Sequence, residues 1–258
     1  METYFDGRAS GYGHLDWHIG YAERFVELAN LSSGMRVLDA ATGTGLAALA
    51  AARVVGTSGQ VVGVDISAGM LEEAERLLAE SELANVAYLK ADVTALDEFE
   101  TESFDAVLCC AGMLYLQADR ALAAWHRALK PGGLVGFSAM RAGFPVAARL
   151  FRECAADFGL ALSDPMSEVG SEVRSREVVS RAGFAFERAV PDVIGLPPKS
   201  ARDLWRSHAV SPHYPEVTSL TSEELAAFEF SYVARFGDVL GKPGTFDLPV
   251  IYIYARKL

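Results

Sequence analysis

The residues best placed to do chemistry sit in Val37-Leu38-Asp39-Ala40-Ala41-Thr42-Gly43-Thr44-Gly45. Glycines at 43 and 45 allow a sharp turn and let a ligand reach main-chain N–H groups with no Cβ in the way. Those groups open an alanine-rich helical pattern over 46–55, so their partial positive charge favours a carboxylate or phosphate. Asp39 argues against phosphate, because a carboxylate beside the loop repels a polyanion and attracts an amine. A ligand with an amino-acid end satisfies both. A second acid, Asp65, closes Gln60-Val61-Val62-Gly63-Val64-Asp65, 22 residues after Gly43, where a carboxylate takes ribose hydroxyls. S-adenosylmethionine offers both ends. A nicotinamide dinucleotide also offers ribose, and Gly43-x-Gly45-x-x-Ala48 loosely fits its fingerprint, so this loop leaves the two open.

The elements that must position these residues alternate. Strands are expected over 35–38, 60–65, 86–90, 106–111 and 134–140, and helices over 46–55, 68–80 and 119–129. Ser67 is placed to cap the second of these helices, and Lys130-Pro131-Gly132-Gly133 reads as a turn. Such alternation means a parallel sheet with right-handed crossovers. Before it, residues 1–18 are rich in glycine and aromatics and read as a lid without firm helix, followed by a helical pattern from Ile19 to Ala29. After it come helices over 145–158 and 175–182 and strands over 184–194 and 248–255. Some fifty residues separate those last strands, with helices near 201–208 and from Thr221, where Glu224 completes a capping box. A segment that long reads as a cover over a binding site. The expected fold is α/β: a Rossmann-like, doubly wound, seven-stranded and mostly parallel sheet with an antiparallel last strand. The whole of 1–258 reads as one domain, with a lid over 1–30, a binding core over 35–140 and a helical insertion over 195–245.

Composition narrows the classes of function. The 258 residues are 51% hydrophobic, enough for one good core. A formal charge of −11 argues against a nucleic-acid partner. No apolar run approaches the roughly 20 residues that span a bilayer, and the first residues lack the pattern of a signal peptide. The three cysteines form neither a disulfide framework nor a zinc pattern, so a reducing cytoplasm is expected. No grouping of Asp, Glu and His at ligand spacing suggests a metal.

Five segments in order resemble the class I S-adenosylmethionine-dependent methyltransferases, in the branch of the ubiquinone and menaquinone biosynthesis enzymes and their small-molecule relatives. They are the loop 37–45, Val64-Asp65-Ile66-Ser67 with Met70-Leu71, Ala91-Asp92-Val93, Phe104-Asp105-Ala106-Val107, and Leu129-Lys130-Pro131-Gly132-Gly133. The resemblance implies that Asp39 and the main chain of Ala41, Thr42, Gly43 and Gly45 hold the methionine portion of the cofactor. It places Asp65 on the ribose, Ile66 and Met70 on the adenine, Asp92 on the adenine amino group with Val93 beside it, and Cys110 on the methionine side. Phe5-Asp6-x-x-Ala9-x-x-Tyr12 resembles the family's opening segment, in which the tyrosine closes over the cofactor. Ala41 stands where the family often has glycine. No tyrosine here has lysine four positions on, which removes one common proton donor for hydride transfer.

Methyl transfer from a sulfonium needs alignment and exclusion of water. Aromatic faces stabilise the cation, and Tyr4, Phe5, Tyr12, Trp17 and Tyr115 are the candidates. Where the acceptor is a hydroxyl, a base helps; His18 and His208 are placed first, ahead of His14 and His213, and His126 reads as structural. The expected reaction moves a methyl group to an O, C or N atom of a mainly apolar small molecule, leaving S-adenosylhomocysteine. Two alternatives stand beside it: a non-methylating reaction on the same cofactor, and a nicotinamide-dependent oxidoreductase.

Overall fold

A computed structural model describes residues 2–9 and 16–258. Among the described residues one sheet has seven strands: β1 (Arg36–Ala40), β2 (Gln60–Asp65), β3 (Val86–Lys90), β4 (Phe104–Cys109), β5 (Leu129–Met140), β6 (Phe184–Gly195) and β7 (Asp247–Lys257). They lie in the order β3-β2-β1-β4-β5-β7-β6. The first five pair in parallel, and β7 runs antiparallel between β5 and β6. The chain leaves β1 toward β2 and β3, then returns to β4 on the other side. That reversal opens a crevice past the carboxyl ends of β1 and β4, where open α/β sheets bind ligands.

The helices are α1 (Glu2–Asp6), α2 (Asp16–Ala29), α3 (Leu46–Val55), α4 (Ala68–Ala79), α5 (Ala118–Ala128), α6 (Val146–Ala156), α7 (Glu172–Arg181), α8 (Ala201–Ala209) and α9 (Ser222–Gly237). Alternation along β1 divides the core, since successive strand side chains leave on opposite faces. Leu38 joins Trp125 of α5, Val107 and Phe137 on one face. Val37 joins Phe25 of α2, Ala51 of α3, Tyr252 and Tyr254 on the other. A third cluster packs α6, α8 and α9 around Phe151, Phe228 and Tyr232. The long insertion is therefore a helical cap with its own apolar centre. Ser67 caps α4 through the Met70 N–H, and Thr221 with Glu224 forms the full capping box of α9.

Three expectations change. Residues Glu2–Asp6 are helical in spite of the glycines that follow. The strand expected over 106–111 ends at Cys109, because Ala111 takes a left-handed φ of 59°. The Lys-Pro-Gly-Gly turn is a bulge inside β5: pairing jumps from Phe104↔Leu129 to Ala106↔Leu134, and Gly132 supplies a φ of 72°. Tyr12 and His14 lie outside the described residues.

Candidate functional site

A cavity of about 350 Å³ fills the crevice past β1 and β4. Each strand end contributes to its wall. After β1 come Ala41, Thr42, Gly43 and Thr44; after β2, Asp65 and Ile66; after β3, Asp92 and Val93; after β4, Cys110 and Ala111. Met70 of α4, Phe5, and Trp17 and His18 of α2 close the sides, with Tyr115 from the loop before α5.

The loop after β1 is held from both ends. The Thr42 N–H donates to the Val64 carbonyl at 3.0 Å, and the Thr42 hydroxyl donates to Asp39 Oδ2 at 2.5 Å. The Gly43 N–H donates to Asp65 Oδ2 at 2.8 Å, and Asp65 Oδ1 accepts from the Ser67 N–H at 3.0 Å. Asp65 thus ties the glycine loop to the start of α4. It is 8% exposed, reaches the wall, and keeps lone pairs on both oxygens for a further donor. Burial raises its carboxyl above the usual range, against the pull of the Ser67 and Gly43 amides.

Gly43 has a φ of 54°, and a Cβ built there meets nothing among the described residues within 4 Å. The wall is open at that point to close approach by a ligand. Gly45 differs: its φ is 81°, and a Cβ would lie 2.2 Å from the Tyr88 hydroxyl. The Tyr88 ring also crosses Gly63, where a Cβ would come within 2.6 Å. Both glycines make room for this ring, which braces the loop from behind.

The structure moves three of the expected residues off the wall. Asp39 is 1% exposed and lies behind Thr42, so its carboxylate does not line the cavity; Oδ1 has no hydrogen-bond partner among the described residues. Burial raises its pKa to about 7, in spite of the Thr42 hydroxyl. Gly45 likewise stands behind the surface. His208 packs on Phe151 in the helical cap and does not line the cavity, because α8 belongs to the third apolar cluster. His18 does reach the wall, beside Trp17. Among the aromatic candidates, Phe5, Trp17 and Tyr115 line the cavity and Tyr4 packs on Phe5 instead.

The remaining expected residues sit where the strand ends put them. Ile66 is an apolar side chain 41% exposed at the wall, and Met70 is buried beneath it. Asp92 Oδ1 accepts from both the N–H and the hydroxyl of Thr94 at 2.8 Å, which leaves Oδ2 with no partner among the described residues. Val93 is buried, and its carbonyl accepts from the indole N–H of Trp125 at 3.0 Å. The Cys110 thiol is driven upward by burial and stays protonated. Sequence reasoning missed Tyr21, Gln117 and Arg120, which also line the cavity, and the bracing Tyr88. No periodicity or motif marked them.

The N-terminal segment is latched onto this site. Asp6 Oδ1 accepts from the Ser67 hydroxyl at 2.6 Å and the Gly69 N–H at 3.0 Å, and the Ser67 bond chiefly holds its carboxyl below the ordinary range. Asp6 thereby extends the cap of α4 while its neighbour Phe5 enters the wall.

Residues 37–133, which supply most of this wall, match the model of a family described as a methyltransferase domain. In sequence this stretch is similar to that domain. Over 110 residues the chain is 42% identical to the ubiquinone/menaquinone biosynthesis C-methyltransferase UbiE of Teredinibacter turnerae, covering 42% of this chain and 44% of that protein. Over 147 residues it is 35% identical to the aklanonic acid methyltransferase DauC of Streptomyces sp. strain C5, covering 55% of this chain and 66% of that one. The chain spans about half the length of the curated relatives it matches. In overall fold it is similar to BH2331 of Bacillus halodurans C-125, with a TM-score of 0.63 at 20% identity over 92% of this chain and 99% of that one. The matched stretch carries the glycine loop, Asp65, Asp92 and Cys110; Phe5, Trp17 and His18 come from the segment before it.

Proposed function

We propose that this protein binds S-adenosylmethionine in the cavity and transfers its methyl group to a nucleophilic O, C or N atom of a mainly apolar small molecule. The observation that carries this reading is Asp65, a buried carboxylate on the wall that also holds the Gly43 amide. A nucleoside ligand that takes the free lone pairs of Asp65 sits beside Ile66 and Met70, which offer apolar contact to a base, with Asp92 Oδ2 available to an exocyclic amine. The open face of Gly43 admits the amino-acid end. The cavity volume falls in the range of small-molecule sites, about 300–1,000 Å³.

When bound, the cofactor supplies an electrophilic methyl on a sulfonium. The chain's own part is alignment and exclusion of water. Phe5, Trp17 and Tyr115 place aromatic faces on the wall, each worth about 0.5–2 kcal/mol to a cation. Asp39 acts through Thr42, fixing the loop from below. The helical cap of α6, α8 and α9 covers the acceptor. An apolar acceptor fits the aromatic wall, and the relatives' names, which specify ubiquinone/menaquinone biosynthesis and aklanonic acid, support a small-molecule acceptor.

Calorimetry with S-adenosylmethionine and S-adenosylhomocysteine tests the first half of this reading. Binding is expected for both, weakened at least about tenfold by Asp65→Ala, which removes a charged hydrogen-bond acceptor. Unchanged affinity in a folded Asp65→Ala protein overturns it. Mass spectrometry of an incubated acceptor panel tests the second half: products should gain one methyl group, with S-adenosylhomocysteine released in equal amount. Turnover confined to peptides or RNA contradicts the acceptor class.

The latch gives a further prediction. Asp6→Ala is expected to weaken S-adenosylhomocysteine binding about fivefold by loosening the start of α4 and Phe5 together. Thermal melting without ligand should barely change, because the carboxylate is exposed. A variant that binds normally shows the latch to be idle.

A further inference from the structure

An adenosyl amino acid carries a carboxylate, and a carboxylate taken from water into a protein wall needs donors or a cation there. Among the described residues of the wall the single arginine or lysine is Arg120, in the first turn of α5. α5 packs on the segment after β3, where the Trp125 indole N–H donates to the Val93 carbonyl, so this charge lies at the Asp92 end of the cavity. The order of the strands puts the carboxylate elsewhere. With a base beside Asp92 after β3 and ribose on Asp65 after β2, the rest of the molecule continues over β1 toward β4. Neighbouring strands lie about 4.8 Å apart, so the end of β4 is about 10 Å from the end of β2, the span of a ribose and an amino-acid end together.

Tyr21 of α2 stands at that place. It is 6% exposed and lines the cavity with Trp17, His18 and Ala22, its neighbours on one face of the helix. Its ring packs on Tyr252 of β7, with centroids 5.5 Å apart. Ser138 of β5 pairs with Tyr252 across the sheet, so these two side chains leave on the same face, toward Tyr21. Ser138 Oγ accepts from the Ala111 N–H at 2.7 Å, and Ala111 follows Cys110 on the wall. Tyr21 therefore meets the cavity where β4 ends. Ala47, in the first turn of α3, belongs to the same apolar cluster and lines the same wall.

The chemistry of this side chain suits a negative charge. Burial pushes its phenol well above the ordinary range, with the Cys110 thiol adding to the effect, so Tyr21 keeps its proton and serves as a donor. The Ser138 hydroxyl beside it can donate to the phenol oxygen, which leaves the phenol proton for a ligand. A neutral donor holds a carboxylate without the cost of burying a second charge. The first amides of α3 add their partial positive charge nearby.

We propose that the Tyr21 hydroxyl donates to the carboxylate of the bound cofactor and is the group by which this chain selects adenosyl compounds that carry one. The assignment rests on the methyltransferase reading above and adds to it a positioning residue that touches the cofactor. Tyr21 fixes the amino-acid end at β4 while Asp65 fixes the ribose at β2, and the sulfur between them is held at both sides.

The test titrates the full chain by calorimetry with S-adenosylhomocysteine and with S-adenosyl-3-thiopropylamine, which keeps the amine and lacks the carboxylate. The parent is expected to bind S-adenosylhomocysteine at least about tenfold more tightly, the strength of one hydrogen bond to a charged group. Tyr21→Phe keeps a ring on Tyr252 and removes the hydroxyl. It should weaken S-adenosylhomocysteine about tenfold and leave the amine probe within about twofold, so that the preference disappears. Tyr21→Met, also without a hydroxyl, is read in the same way should the phenylalanine variant fail to fold. Three results overturn the proposal: a parent without preference, a variant that keeps the preference, or a variant that loses affinity for both probes alike, which makes Tyr21 a packing residue only. A parent that binds neither adenosyl compound defeats the underlying methyltransferase reading instead.

Discussion

Gly45→Ala is expected to destabilise the fold by roughly 3 kcal/mol and to lower Tm by about 6–12 °C. Two costs add. A φ of 81° is unfavourable for any residue with a Cβ, by about 1–2 kcal/mol. The new methyl also overlaps the Tyr88 hydroxyl at 2.2 Å and the ring carbon that bears it at 2.9 Å, with Ala74 Cβ at 3.2 Å on the far side. Overpacking of this kind costs about 1–3 kcal/mol. The Tyr88 hydroxyl is buried without a partner, so Tyr88→Phe alone should cost little. In that background Gly45→Ala should regain about 1 kcal/mol, because the closest overlap is gone. Gly43→Ala separates binding from folding: its φ of 54° costs about 1 kcal/mol, but its Cβ meets no atom of the described residues and enters the cavity. Scanning calorimetry of the four proteins reads the stabilities, and titration with S-adenosylhomocysteine reads the site. A Gly45→Ala protein that melts with the parent would mean that Tyr88 does not brace the loop.

The contrast between these glycines shows how far the sequence reaches. Its loop, flanked by a strand and an alanine-rich helix, announces a turn that approaches a ligand, and the structure has that turn. What the sequence could not tell is that Gly43 faces the cavity and Gly45 faces a tyrosine two strands away. Periodicity reports which residues turn inward; it does not report which of them meet. The acids show the same limit. Asp65 and Asp92, at strand ends, were legible because a parallel sheet must present those ends to one crevice. Asp39 sits at an equivalent strand end yet is hidden, because Thr42 folds back over it. The insertion was legible as helical from its pattern and its capping box, but its histidines were ranked without tertiary contacts. His208 turned into the apolar cluster, and His213, ranked behind it, stacks on the wall through Tyr115. Only the packing of three distant segments could reverse that order.

Asp39 also governs how stability responds to pH. In the unfolded chain its carboxyl ionises near 3.8, and in the fold burial raises it to about 7. Between those values the folded protein holds a proton that the unfolded chain has lost, so stability falls as pH rises through the window. The loss is complete only above the folded value, where the chain carries a buried charge with an unpaired Oδ1. Asp39→Asn removes the titration and keeps an oxygen to accept the Thr42 hydroxyl. Relative to the parent, the asparagine variant should gain about 2.5 kcal/mol between pH 5 and pH 8, the size set by one pKa unit being worth about 1.4 kcal/mol. Asp105, lowered by the Lys130 ammonium against its own burial, acts equally in the two proteins and cancels in the comparison; Asp65, whose charge helps to raise Asp39, is freed of that repulsion in the variant, which adds to the variant's gain at high pH. Urea unfolding at the two pH values measures the difference directly. Parallel pH profiles for parent and variant would place the charge of Asp39 in contact with solvent or with a cation, contrary to its burial behind Thr42.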